Sequence, residues 1–241
     1  MERIPTGIPG LDSLIEGGFP QGRTMLLAGG TGTGKTIFSL QYLFEGAKKY
    51  KEPGLYVTLD ERPELIREDV ERFGWELEKL EQENLLHIVD ASVAKIGIPS
   101  KEAFALPETG FDLDKLLLEI LRASKKVGAK RVVVDSLQAL GLKFDEPGEA
   151  RKAVLKLSYL LAKIGATSIL TSEVAEGDKK FGTYGVEEYV ADAVISLRYL
   201  EVGVRNNRLL HIRKMRATKH SEFLHPLEIT EKGITVHNVD E

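Results

Sequence analysis

A run of eight residues at positions 29–36, Gly-Gly-Thr-Gly-Thr-Gly-Lys-Thr, constrains this chain more than any other feature. It matches the pattern G-x-x-x-x-G-K-[S/T] throughout, and it lies between an apolar run at 25–28 and a helical pattern at 36–49. In this context the glycines allow successive backbone N–H groups to converge on phosphate oxygens, and the helix N-terminus adds partial positive charge. The run therefore predicts a phosphate-binding P-loop, and an incidental glycine-rich turn is the weaker alternative.

Two side chains of the predicted loop carry the chemistry of a bound nucleotide. The ammonium group of Lys35 can reach the β- and γ-phosphates, and the hydroxyl of Thr36 can ligate Mg²⁺. We therefore expect ATP and Mg²⁺ as the cofactors of this chain. The other predicted nucleotide contacts come from the loop and the start of the helix: Gly30, Thr31, Gly32, Thr33, Gly34 and Ile37.

Short apolar runs alternate with helical patterns over the first three quarters of the chain. The predicted strands are 25–28, 55–59, 85–89, 132–134 and 168–170. Helical periodicity covers 112–127, with Asp112 placed to cap and Gly128 to stop the helix, and 147–164, which ends at Gly165. This alternation predicts an α/β fold with a mainly parallel sheet and helices on both faces.

The last quarter of the chain has a different pattern. Apolar runs at 194–201, 208–216, 227–229 and 234–236 have no helices between them, and turn residues occur at 203–207 and 231–233. We expect antiparallel hairpins added to the sheet. No linker or internal repeat interrupts the sequence, so we predict one domain over 1–241. The least periodic stretch, 94–109, is predicted to be a long surface loop or insertion.

Acidic residues follow two of the predicted strands. Asp135 ends the run 131–135, where it could hold Mg²⁺ through water opposite Thr36, and a helix or turn cap is the alternative. Asp60 and Glu61 end another strand, where one of them could orient and deprotonate the attacking water. Neighbouring strand residues point in opposite directions, so we expect only one of these two to face the nucleotide. Their alternative role is to cap the helix that starts near Pro63.

Composition excludes several classes of protein. The 241 residues include no cysteine, which excludes disulfides and thiolate metal sites. A formal net charge of −4 argues against a general nucleic-acid-binding protein, because non-specific binding depends on a surplus of Lys and Arg; a local basic site stays open. No window approaches the roughly 18 consecutive apolar residues of a membrane helix, and no secretory signal is present. We expect a cytoplasmic protein with no membrane partner.

Motifs beyond the P-loop resemble the KaiC branch of the RecA-like ATPases. They lie at 3–12 with 17–18, 73–75, 86–91, 185–192, 214–220 and 226–234. The resemblance covers nearly the whole chain, apart from about 94–108, and is to a single KaiC-type domain. It implies a RecA-like core that assembles as a ring, commonly a hexamer, with ATP bound between neighbouring subunits.

The same resemblance implies roles for several side chains. Asp60 and Glu61 match the family's pair of catalytic glutamates, with a shorter acid at the first position. Lys214 and Arg216 match a basic pair that crosses to the γ-phosphate of the next subunit, and His220 matches a position near that nucleotide. Two residues apart on a strand, Lys214 and Arg216 share one face, although solvated surface charge is the alternative.

The strand tip at 171–173 also matches a site of known role, the γ-phosphate sensor of RecA-like proteins. Ser172 and Glu173 are therefore candidate nucleotide contacts. The following segment, 174–184, contains Lys179, Lys180 and Phe181 among glycines. It is predicted to be a mobile loop that reports the nucleotide state to a partner, and a plain surface loop is an equal alternative.

These features favour a slow Mg²⁺-dependent ATPase that forms a homo-oligomeric ring and controls its own assembly or an unidentified protein partner. A nucleotide-gated scaffold without turnover is the first alternative, and the shorter acid Asp60 favours it slightly. A DNA-handling recombinase relative is the second; the acidic charge balance argues against it, and only the loop with Lys179, Lys180 and Phe181 argues for it. Protein kinase activity has no distinct residue to support it.

Overall fold

The computed structural model describes residues 1–92, 100–106, 112–142, 144, 146–175, 180–202 and 205–239. Most of the predicted surface loop at 94–109 lies outside these residues, as does Lys179. Within that stretch the prediction is wrong for Phe104 and Ala105, which form a short strand beside 86–90. Phe104 is buried there, so its aromatic side chain belongs to the core and not to a surface loop.

The strands, in chain order, are β1 Arg3–Ile4, β2 Phe19–Pro20, β3 Thr24–Gly29, β4 Gly54–Thr58, β5 Leu86–Asp90, β6 Phe104–Ala105, β7 Arg131–Asp135, β8 Thr167–Glu173, β9 Ala193–Val202, β10 Arg205–Met215, β11 Leu224–Thr230 and β12 Gly233–Val236. The first two pair with each other. The other ten form one sheet in the order β12-β11-β10-β9-β3-β8-β7-β4-β5-β6. From β9 to β6 the neighbours in this order are parallel, and β9 to β12 are antiparallel. The predicted fold class is confirmed.

The helices are α1 Lys35–Tyr50, α2 Pro63–Glu71, α3 Leu77–Gln82, α4 Leu113–Val127, α5 Pro147–Ile164 and α6 Glu187–Val190. Short 3₁₀ turns cover Asp12–Ile15 and Leu137–Leu142. The predicted ends of α4 are confirmed: the Asp112 carboxylate accepts the backbone N–H groups of Asp114 and Lys115, and Gly128 has a φ of 65°. None of the helices described is long and apolar enough to cross a membrane.

Both faces of the central, parallel part of the sheet are buried. Tyr56 of β4 packs into the cluster beneath α1, α2 and α3, whereas Leu55 and Val57 pack into the cluster beneath α4 and α5. A strand covered on both sides needs apolar residues at nearly every position, which is why the central strands are continuous apolar runs.

The hairpin of β9 and β10 extends further than its apolar pattern predicts. Positions 205–207, predicted to belong to the turn, are paired in β10, and Asn207 lies opposite Leu200. Ladder hydrogen bonds satisfy the backbone whatever the side chain, so polar residues can continue a strand at a sheet margin.

Candidate nucleotide-binding and hydrolysis site

The candidate site lies at the carboxyl edge of the central strands. Because β3, β8, β7 and β4 are parallel neighbours, their carboxyl ends meet at one edge of the sheet. The register pairs Gly29 with Glu173 and Thr58 with Asp135. The sheet order thus brings the P-loop, the acids after β4, and the tips of β7 and β8 together, as expected for a ligand site in an α/β fold.

The loop backbone adopts conformations that require glycine. Gly34, directly before α1, has a φ of 105°. A Cβ atom on Gly29 would lie 2.6 Å from the Leu197 carbonyl oxygen, so any side chain there would clash with β9. Thr33 is buried, and its hydroxyl bonds to the Gly30 carbonyl at 2.8 Å. Its side chain therefore braces the loop from inside, while its backbone remains a candidate phosphate contact.

Lys35 lies folded over the loop. Its Nζ donates hydrogen bonds to the carbonyl oxygens of Gly29 and Gly30, at 2.8 and 2.9 Å. Burial lowers the pKa of Lys35, and the negative charges of Glu173 and Asp135 oppose that shift. Charged phosphate oxygens are stronger acceptors than neutral carbonyls, so the ammonium group is available to an incoming triphosphate.

The two residues predicted to hold the metal are in contact. The Thr36 hydroxyl donates to Asp135 Oδ2 at 2.8 Å, and the phenol of Tyr56 donates to the same oxygen at 2.6 Å. The hydroxyl of Thr171 donates to Asp135 Oδ1. Asp135 is 8% exposed, so these donors supply the hydrogen bonds that its carboxylate would otherwise receive from water.

Over the part of the chain that the structure describes, no group of three or more His, Cys, Asp or Glu side chains could hold a metal ion. An ion at this site would take oxygen ligands from Thr36 and from phosphates, with Asp135 acting through water. Mg²⁺ prefers such a site, since it keeps several waters and uses few carboxylates.

The structure distinguishes the two adjacent acids after β4. Asp60 is exposed, whereas Glu61 is half-buried and lines a cleft of about 460 Å³ together with Thr36, Lys35 and Asp69. A turn closed by Thr58 sets this orientation: its hydroxyl donates to the Glu61 carbonyl at 2.6 Å and accepts the Glu61 N–H at 3.1 Å. Burial raises the pKa of Glu61, and the charges of Asp69, Asp135 and Asp60 raise it further.

A second cleft, of about 510 Å³, lies on the other side of the loop. Its lining includes Thr31, Glu173, Lys180 and Thr183. Thr31 donates a hydrogen bond to the Glu173 carboxylate, and the Thr183 hydroxyl donates to the Glu173 carbonyl at 2.9 Å. Glu173 therefore connects the phosphate loop to the segment that follows β8.

Ser172 points away from the phosphate loop, unlike its neighbour Glu173. Its side chain is fully buried, with its hydroxyl 3.4 Å from both the Glu187 carboxylate and the Thr183 N–H. Side chains alternate along a strand, so only one of these two neighbours can face the loop. Phe181 of the following segment has the Arg198 and Arg213 guanidinium groups 5.6 and 5.9 Å from its ring centre.

Lys214, Arg216 and His220 are not brought to the chain's own P-loop. Lys214 pairs with Val194, which pairs with Leu26 well before the end of β3. Its Nζ donates to the carbonyl oxygens of Glu188 and Ala191 at 2.8 and 2.7 Å, and burial and the charge of Arg216 lower its pKa.

The other two members of this group lie beyond the end of β10. The Arg216 side chain is 58% exposed, and its guanidinium lies 3.8 Å from the Asp192 carboxylate. The Nδ1 atom of His220 lies 2.9 Å from the Ser221 carbonyl oxygen. Both basic side chains of the predicted pair therefore contact the segment 188–192, which leads into β9 at the edge of the sheet opposite the phosphate loop.

Two residues of the β9–β10 hairpin contact the phosphate loop and were not expected from the sequence. The Tyr199 hydroxyl donates to the Gly32 carbonyl at 2.7 Å, and the Arg208 guanidinium donates to the same oxygen at 3.3 Å. Arg208 and Tyr199 are cross-strand partners, with the guanidinium 5.1 Å from the ring centre. Only the hairpin register reveals this pair, since neither residue belongs to a motif.

A phosphate loop after β3, with an acid at the tip of β7, two strands away, hydrogen-bonded to the loop threonine, defines a P-loop nucleotide-binding protein of RecA-like fold. The family model described as "ATPase: KaiC" matches residues 4–241. The chain belongs to this KaiC ATPase family, and the resemblance drawn from the sequence motifs is confirmed.

Individual relatives agree with this assignment. A UPF0273 protein of Methanopyrus kandleri is 43% identical over 236 residues, which are 98% of this chain and 92% of that protein. The circadian clock oscillator protein KaiC of Synechococcus elongatus is 39% identical over 234 residues, which are 97% of this chain but 44% of the clock protein. The crystal structure of a KaiC-like protein from Pyrococcus horikoshii matches with a TM-score of 0.86 and 41% identity, covering 98% of this chain and 99% of that one.

Proposed function

We propose that this chain, as one KaiC-type domain, is an Mg²⁺-dependent ATPase. The observation that carries the proposal is the 2.8 Å hydrogen bond from Thr36 to Asp135, in a partly buried position beside Lys35. This arrangement supports a nucleotide held by the loop residues 29–36, with the ammonium of Lys35 on its terminal phosphates. When bound, Mg²⁺ would be held by the Thr36 hydroxyl and, through water, by Asp135, and it would withdraw negative charge from the phosphates.

In the proposed reaction, Glu61 orients a water molecule for in-line attack on the γ-phosphorus. As the new P–O bond forms, the bond to the ADP oxygen breaks, and the Glu61 carboxylate takes the proton of the attacking water. A raised pKa makes a carboxylate a stronger base, and the pKa of Glu61 is raised first by burial and then by the charges of Asp69 and Asp135. Its place in the cleft with Thr36 favours Glu61 over the exposed Asp60.

We further propose that the active form is a ring, with six subunits as the expected number, in which Lys214, Arg216 and His220 serve the nucleotide of the neighbour. The exposure of Arg216 and its distance from the chain's own loop support an action in trans. Basic groups that reach the γ-phosphate only across an interface would stabilise transition-state charge as an arginine finger does. Turnover would then depend on assembly.

The contacts of Glu173 support control of a partner by the nucleotide. Its carboxylate accepts from Thr31 in the loop, and its carbonyl accepts from Thr183 in the segment after β8. A bound phosphate that breaks the hydrogen bond between Thr31 and Glu173 would therefore change the contacts of Glu173, which is itself hydrogen-bonded to that segment. A partner protein bound there could respond to the nucleotide state.

The first test is phosphate release from ATP and Mg²⁺, measured beside the oligomer mass with and without nucleotide. We expect steady turnover from an oligomer, lost in Glu61→Gln and retained in Asp60→Asn, its matched control. Loss in Asp60→Asn alone would assign the base to Asp60 instead. Nucleotide binding and assembly without any turnover would replace the ATPase with a nucleotide-gated scaffold.

A further inference from the structure

The Asp135 carboxylate receives hydrogen bonds from three separate elements of the fold. Thr36 in α1 and Tyr56 in β4 both donate to Oδ2, and Thr171 in β8 donates to Oδ1. Thr36 belongs to the phosphate loop and has an evident role there. Tyr56 lies outside every nucleotide-binding motif of the sequence. Thr171 belongs to the strand tip that matches the γ-phosphate sensor, but it is not one of the nucleotide contacts predicted there, and both side chains are buried.

Strand order explains how these two side chains reach the carboxylate. The strand that ends in Asp135, β7, lies between β4 and β8. Thr58 is the register partner of Asp135, and Tyr56 is that of Val133, so the long phenol side chain must extend towards the strand tip. The phenol hydroxyl of Tyr56 lies 2.6 Å from Asp135 Oδ2, and a carboxylate only accepts, so the phenol is the donor of this bond.

The number of donors determines what the carboxylate can still do. A carboxylate offers about four lone-pair sites to donors. Thr36 and Tyr56 use those of Oδ2, and Thr171 uses one of Oδ1. One acceptor site is left, which suits a single metal-bound water and leaves no second oxygen for a direct, two-oxygen contact with the ion.

Tyr56 differs from a tyrosine that merely fills the core. Tyr42 is also fully buried, and its hydroxyl donates to a neutral backbone carbonyl, that of Thr167, at 3.1 Å. The Tyr56 hydroxyl instead donates to a charged carboxylate oxygen, Asp135 Oδ2, which also accepts a hydrogen bond from Thr36. If packing were the only requirement, phenylalanine would fill the core equally well at either position.

We infer that Tyr56 and Thr171 are positioning residues of the metal site, which act through Asp135 by fixing the orientation of its carboxylate. This inference rests on the proposed Mg²⁺–nucleotide function. Neither residue lines either of the two clefts beside the phosphate loop. Without their hydroxyl groups the carboxylate can rotate, and its remaining lone pair no longer points to the metal-bound water. Outer-shell partners of this kind orient the ligands of metal sites in general.

The test is titration calorimetry with a non-hydrolysable ATP analogue, once with Mg²⁺ and once with EDTA. We expect Tyr56→Phe to weaken binding about tenfold when Mg²⁺ is present, at the lower end of the loss caused by outer-shell changes. Binding in EDTA should not change. Tyr42→Phe is the matched control, since it also removes one buried phenol hydroxyl; it should leave both affinities at the wild-type value.

Thr171→Val provides a second variant on a different strand, and it decides the matter if Tyr56→Phe does not fold. It should reduce the Mg²⁺-dependent affinity in the same direction. In an Asp135→Asn background, Tyr56→Phe should have much less effect, because the carboxylate it orients is gone. An equal effect in both backgrounds would show that Tyr56 acts elsewhere.

The outcomes separate this inference from the function it rests on. If wild-type protein needs Mg²⁺ for tight binding but Tyr56→Phe and Thr171→Val bind like wild type, the positioning role is overturned and the ATPase proposal stands. If wild-type binding is the same in Mg²⁺ and EDTA, both are overturned.

Discussion

The hydroxyl of Tyr199 in β9 donates a 2.7 Å hydrogen bond to the carbonyl of Gly32 in the phosphate loop. A loop that binds phosphate through its N–H groups must hold each peptide in one orientation, and a donor on a carbonyl prevents that peptide from turning over. The contact also connects the hairpin to the nucleotide site, because Arg208 of β10 donates to the same oxygen.

Removing this donor should weaken nucleotide binding without unfolding the protein. One hydrogen bond contributes about 0.5–1.5 kcal/mol, so Tyr199→Phe should reduce ATP affinity by about two- to tenfold. Calorimetry measures the change. Tyr159→Phe, on the exposed surface of α5, is the control and should have no effect. Wild-type affinity in Tyr199→Phe would mean that the loop keeps its shape unaided.

Lys35→Ala should lower ATP affinity by about 100-fold, since hydrogen bonds to charged groups are worth about 1.5–3 kcal/mol each and Lys35 would make more than one. Equilibrium dialysis with labelled ATP measures this loss. Lys49→Ala removes an ammonium from the other end of the same helix, where it pairs with Glu45. That variant should bind as wild type does, and equal losses in both variants would contradict the role of Lys35.

The pH dependence of turnover should report on Glu61. A base must be deprotonated, so the rate should fall as pH drops through the pKa of Glu61, which lies above that of an ordinary glutamate. Asp69 is the first of the neighbouring charges that raise this pKa, so Asp69→Asn should move the acid limb of the kcat–pH profile to lower pH. The control is Glu71→Gln, an exposed residue of α2, and a limb unmoved by Asp69→Asn would argue against Glu61 as the base.

Arg216→Ala should reduce turnover by up to about 1,000-fold, the lower range for loss of an arginine finger, while nucleotide binding by a single subunit remains. Arg213→Ala, which removes a guanidinium three positions earlier, in β10, is the control. A mixing experiment tests action in trans. Subunits carrying Lys35→Ala and subunits carrying Arg216→Ala, each inactive alone, should recover activity when combined, because some interfaces then hold an intact loop and an intact arginine.

Asp112→Ala should destabilise the protein by about 1 kcal/mol, as loss of a helix N-cap does, and lower its melting temperature. Its carboxylate accepts two backbone N–H groups at the start of α4. Asp114→Ala, in the first turn of the same helix, removes an exposed acid without that cap. Thermal unfolding of the two variants should differ, and equal melting temperatures would exclude the capping contribution.

Much of the fold could be predicted because its signals are local. The P-loop, the cap at Asp112 and the stop at Gly128 each depend on neighbours within a few residues, and the buried strands are readable as apolar runs. At two stretches the local pattern predicts the wrong structure. It places Phe104 in a loop, because two paired residues are too short for a periodic signal. It places positions 205–207 in a turn, because strand pairing there does not depend on apolar side chains.

The candidate site was only partly predictable. Thr36 and Asp135 could be named because each ends a recognisable local pattern, although they lie 99 positions apart. Tyr56, Thr171 and Tyr199 could not, since their hydroxyl groups acquire partners only through the order β9-β3-β8-β7-β4 and the register of those strands. Periodicity determines which residues form strands and which faces are apolar. Which strands become neighbours, and therefore which polar groups meet at the sheet edge, depends on long-range packing that only the tertiary structure decides.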